Sequence, residues 1–472
     1  MKKLLISLLL LSISLAANSP LDINGYDHQI VYWAFNHQFD QANNLIDEKI
    51  NENPDIPKYY FLKIVTLSLQ HLADSDNYGF EERYEFRKQK NRELIEYTES
   101  SLEKFDDLEM TPENKFYLAN IRGYLGRMHS FEGSYMSAFS NAKKGKDALE
   151  ELVEDHPEFY DAYLLLGMFE YYADRLSGVT KFITSILGFS GDRATGLKYL
   201  HLAQQNGNLT KPFAEFILGE TYTFQESNNF DAIRYFETLV KRYKNNSSFY
   251  DWYVRLLIQL DRLKEAEEAI ENDEKKHVWG YTKGTFYFKN GEFQKTIDSL
   301  STSIESKSFK WRGAFAQAKF LVAVSSLLLD KPIDGIESEL SVDRLAIYNE
   351  LKNNRSVALK VHQFAAKVGR MNIGEEMELP KITKLPPDGY LRAMYEFYSG
   401  VYFYKYRDAT RAILFFSKVG RDREHFRSQS AEYLINIYKS VKPTEEQLDQ
   451  LEDIIDDVDN EDLQFAFMDL RR

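Results

Sequence analysis

Nine histidines, at 28, 37, 71, 129, 156, 201, 277, 362 and 425, are the first residues to test for chemistry. None pairs with another at a four-residue interval and no HExxH occurs, so no helical zinc site is legible. Cysteine is absent, which removes disulfides, thiol nucleophiles, thiolate metal sites and a lipid-modified N-terminal cysteine together. No GxSxG elbow is present either. Gly188-Phe189-Ser190-Gly191-Asp192-Arg193 has the glycines of a phosphate loop but not its GK[ST] ending, and it follows no strand. Asp457, Asp459 and Glu461 sit at calcium-loop spacing, yet Asp462 stands where the required glycine should be. The reading is non-enzymatic, with no catalytic residue, cofactor or metal expected.

The elements around these residues are helical. From His28 the apolar residues Ile30, Trp33, Ala42, Leu45, Ile46 and Ile50 recur at helical intervals up to Pro54. Ala42 and Pro54 stand in the relation of a small residue early in a second helix and a proline that ends it, the frame of the 34-residue tetratricopeptide repeat. Leu166-Gly167, Leu218-Gly219 with Ala232, Trp252 with Ala266, and Gly284 with Thr296 fall in the same frame. The fold class expected is all-α: a tetratricopeptide-repeat (helix-turn-helix) solenoid, with an inserted apolar helical segment in one hairpin.

That insertion is the most individual stretch of the chain. Gly167 and Gly196 take the two small-residue positions of one hairpin but stand 29 apart where the frame puts 12, so about 17 residues have been added, at about 173–190. Within it Val179, Phe182, Ile183, Ile186 and Leu187 form one apolar helical face, followed by Gly188 and Phe189. The stripe either folds back onto Tyr171, Tyr172 and neighbouring repeats or meets a partner's groove or a lipid surface. Gly191 precedes the restarting helix, Ser190 or Asp192 caps it, and Arg193 is placed to pair with a neighbouring carboxylate.

The run LGMFEYYADRLSGVTKFITSILGFSGDRATGLKYL, residues 166–200, resembles the tetratricopeptide-repeat 39 and inclusion-body-clearance family, most of all in LGFSGDR. A looser similarity extends over about 113–405. The resemblance implies an all-helical scaffold with no catalytic residues to carry over, and links to lipid-storage and organelle surfaces. Those relatives are intracellular, whereas this chain opens with Lys2-Lys3, a leucine-rich core and Ser14-Leu15-Ala16, the pattern of a cleaved export signal.

Four segments are therefore expected: a signal peptide at 1–16, a solenoid at 17–330, a connector with a polar helix around Leu345 to Val368 at 331–387, and C-terminal hairpins with an acidic capping helix at 388–472. In the last, Thr444 and Gln447 read as a capping box. The net charge of −14 argues against a nucleic-acid footprint. The aromatic content, 31 Tyr and 33 Phe, suits packed helices or a groove that grips peptides. The function expected is an exported, periplasmic scaffold that binds a protein or peptide partner on its concave face. The alternative is a peripheral membrane or lipid contact through Val179 to Phe189.

Overall fold

A computed structural model describes residues 20–175, 191–306, 309–331, 333, 335–458 and 461–471. Every regular element among them is helical, so the all-α expectation is met at the level of class. The expected export signal and most of the expected apolar insertion, including Val179, Phe182, Ile183, Ile186, Leu187, Gly188 and Phe189, lie outside the described residues.

The chain divides into two compact units, each drawn from separate stretches. The first comprises the described residues within Met1–Val31, Asn44–Ile64 and Leu94–Glu215. Its hairpins follow from local chemistry. Thr111 accepts a hydrogen bond from the Asn114 N–H at 3.2 Å and Pro112 opens the helix Pro112–Phe131. Gly133, at φ +78°, then turns the chain into Tyr135–Asp155. Phe116 and Phe159 pack with ring centroids 5.4 Å apart, and Tyr117 is fully buried beside them. The buried Asp161 carboxylate accepts from the Thr210 N–H at 2.7 Å, the Thr210 hydroxyl at 2.9 Å and the Asn208 N–H at 3.0 Å. It thus ties the entry of Ala162–Asp174 to the turn that follows Arg193–Asn206.

The second unit comprises the described residues within Tyr32–Asn43, Val65–Glu93 and Phe216–Arg472. Its hairpins share one turn. Asp261, Gly291 and Arg407 each adopt positive φ, and the following N–H reaches back to a carbonyl five residues earlier: Arg262 to Leu257, Glu292 to Tyr287 and Asp408 to Phe403, each at 2.8–2.9 Å. The same closure recurring in unrelated sequences is what a repeated hairpin requires. The capping box at Thr444 and Gln447 is present, with both reciprocal bonds.

Between 331 and 387 the structure departs from the single polar helix expected. Two helices, Val342–Asn353 and Arg355–Arg370, meet at Asn354, and the second buries Val357, Val361, Phe364, Ala365 and Val368. Those residues fall on one helical face, so the segment belongs to the core of its unit and not to a polar surface. Glu350 then accepts from the N–H groups of Tyr390 and Leu391, at 2.8 and 2.9 Å, capping the helix Tyr390–Lys405 from forty residues away in sequence.

Candidate functional site

In the second unit, helix Ser247–Gln259 begins at Asn246, whose side chain accepts from the Phe249 N–H at 3.0 Å. One face of this helix carries Asp251, Trp252, Arg255, Ile258 and Gln259, residues three or four apart that stack along one side. Asp251 accepts from the Trp279 N–H at 2.9 Å and lies 2.8 Å from Arg255 Nε. The same nitrogen donates to the Thr282 hydroxyl at 3.1 Å. Arg255 is only 9% exposed, and its guanidinium carbon lies 4.7 Å from the Trp252 ring centre, 4.7 Å from that of Trp311 and 5.2 Å from that of Trp279. Three of the chain's four tryptophans therefore converge on one cation, an arrangement in which ring quadrupoles offset part of the cost of burying the charge.

This cluster forms one wall of a cavity of about 510 Å³. Phe224 meets Trp252 edge to face at 4.8 Å and remains 47% exposed at the mouth. Trp311, at 39%, is exposed there too. The lining also includes the polar residues Asn229, Ser428, Gln429 and Glu432. The Glu432 carboxylate accepts from the Asn229 N–H at 2.7 Å and from its side-chain amide at 3.2 Å, sitting at the start of helix Asn229–Arg242. Burial pushes its pKa up to about 7, against the opposing pull of the Asn229 donors and of Lys439. An apolar, ring-lined cavity with a few fixed polar groups is the common form of a binding site.

A second buried polar cluster in this unit is structural. The Lys405 ammonium donates to the carbonyls of Asp261, Val368, Gly369 and Met371 at 2.7–3.2 Å, three of them at the C-terminal end of helix Arg355–Arg370. Burial brings its pKa down to about 8. With its donors occupied, it serves as a cap for the negative end of that helix and presents nothing to a ligand.

The residues singled out from the sequence lie in the first unit. Gly167 and Gly196 do face one another: a Cβ on Gly167 would lie 2.9 Å from the Gly196 carbonyl oxygen, and one on Gly196 would lie 2.6 Å from the Tyr171 nitrogen. Asp192 caps helix Arg193–Asn206 by accepting from the Thr195 N–H at 2.7 Å, while its own N–H donates to Glu170. Gly191 is packed against the backbone of Glu170 and Asp174, and Arg193 is buried. These are packing and capping roles.

Arg255 and Glu432 escaped the sequence reading. The one signal was a charged residue inside an otherwise apolar run, Trp252 to Ile258. Among the described residues no histidine or carboxylate cluster could hold a metal ion, and no helix is long and apolar enough to cross a membrane. No family model matches the chain, and no curated protein matches it either.

Proposed function

We propose that this chain is a non-catalytic, exported scaffold of tetratricopeptide type, related to the tetratricopeptide-repeat 39 and inclusion-body-clearance family, that binds a peptide segment of a protein partner. The observation that carries the reading is the convergence of Trp252, Trp279 and Trp311 on Arg255 beside an open cavity. Aromatic side chains with a fixed arginine are the residues that dominate binding energy at protein interfaces, because they are large, rigid and amphipathic. The helical hairpins supply rigid elements on which such a cluster keeps its geometry.

The test is affinity capture from crosslinked cells of the source organism, with wild-type protein and a Trp311→Ala variant side by side. The expected result is a stoichiometric protein partner that is lost from the variant while the far-ultraviolet spectrum is unchanged. A partner retained equally by both proteins would move binding away from the cavity. Enriched lipid without a protein would transfer the role to Val179–Phe189.

A further inference from the structure

Glu432 is the feature of the cavity that packing does not account for. Its carboxylate accepts from Asn229 at a helix start, which favours a negative charge, yet it also places an acid against apolar and ring-bearing walls. No cation among the described residues comes within ion-pair distance of it. Lys439, on the turn that ends its own helix, is committed to Asp231 at 2.7 Å, and Arg234 on the neighbouring helix faces Asp231 at 3.4 Å. Arg255, which also lines the cavity, is held by Asp251 at 2.8 Å. Tyr281 completes the lining without charge. The carboxylate therefore lines the cavity with no ion-pair partner among the described residues, met only by the Asn229 donors and the more distant Lys439.

Arg255 contributes the complementary half. Its bonds to protein run from Nε, and no acceptor among the described residues takes its Nη donors, although the side chain is nine-tenths buried and lines the cavity. Because Asp251 already balances the guanidinium, these donors suit a neutral carbonyl better than a second carboxylate, which would also face Glu432.

Resting on the peptide-binding reading above, we infer that the cavity takes an extended peptide bearing a lysine or arginine, its side-chain cation meeting Glu432 and a main-chain carbonyl accepting from Arg255. The ring faces and edges of Phe224 and Trp311 at the mouth cover the aliphatic stem of such a side chain. The net charge of −14 draws a basic partner at long range and repels an acidic one.

The experiment selects phage-displayed random dodecapeptides on the full chain, on Glu432→Gln and on Trp311→Ala. Wild type is expected to enrich peptides with a basic residue at one fixed place, and Glu432→Gln to lose that preference. A synthetic copy of the enriched peptide, followed by tryptophan fluorescence, should bind wild type at least roughly tenfold tighter than its Lys→Gln counterpart. That comparison leaves the protein unaltered, so it decides the matter even if Glu432→Gln folds poorly. The affinity for the lysine peptide should also rise between roughly pH 5 and pH 8 as Glu432 ionises. Enrichment without a basic residue leaves peptide binding standing and overturns the cationic preference. No enrichment above Trp311→Ala overturns both. A neutral oligosaccharide that shifts the fluorescence when no peptide does would assign the cavity to sugars.

Discussion

His362 shows at the scale of one residue how burial sets a pH response. It is 3% exposed, its ring meets Phe288 and Phe293 edge-on at 5.3 and 6.0 Å, and its Nε2 has no hydrogen-bond partner among the described residues. Burial alone holds its pKa down to about 4, from an ordinary 6.5. Between those values the unfolded chain binds a proton that the folded chain refuses, so stability falls as pH drops through this window. The loss approaches about 3 kcal/mol below pH 4. His362→Leu keeps the apolar contacts and removes the titration. Urea denaturation of the variant at several pH values should show a shallower decline from roughly pH 6.5 to 4 than wild type. An unchanged slope would mean that His362 is protonated within the fold.

At the scale of elements, the close approach of Ala162–Asp174 to Arg193–Asn206 leaves no room for a single methyl group. A Cβ on Gly196 would stand 2.6 Å from the Tyr171 nitrogen and 2.7 Å from its Cβ, so Gly196→Ala forces two helices apart. The expected cost is about 1–3 kcal/mol, net of alanine's better helix propensity. Gly25→Ala, where nothing lies within 4 Å, should change stability by less than about 0.5 kcal/mol and serves as the control in thermal or chemical denaturation. This pairing was legible beforehand because small residues recur at fixed offsets and helices need them where they touch. The break at Asn354 was not: neither Asn354 nor Arg355 is a strong breaker, and the buried face of Arg355–Arg370 is set by what packs against it. The tryptophan cluster was illegible for a related reason. Trp252 lies on a helix face and Trp279 and Trp311 at the starts of the next helices but one along the chain, and only the stacking of those helices brings their rings to one guanidinium.

The whole chain is organised so that its second unit cannot be made from one continuous stretch. Residues 32–43 and 65–93 belong to it, although they precede most of the first unit in sequence. Asn246 donates to the Phe35 carbonyl at 2.7 Å, Asn36 accepts from the Asn245 N–H at 2.9 Å, and Asp76 is met by Lys310 at 2.5 Å and Arg83 at 2.7 Å. A fragment 228–472 lacks all the early partners, so it should show neither native helicity nor native tryptophan emission until fragment 20–227 is added. In a Trp33→Phe background every tryptophan resides in the later fragment, which makes the emission change specific to the second unit. Native spectra from 228–472 alone would refute this dependence.

The Asp76–Lys310 pair spans 234 positions of sequence. A ribosome adding residues at about 5–20 per second completes Asp76 roughly 10–50 s before Lys310 exists. Until residues 245–248 are made the early segment lacks its later partners, and the set is completed only when Lys310 arrives. A unit that closes this late stays open to chaperones and proteases for most of its own synthesis.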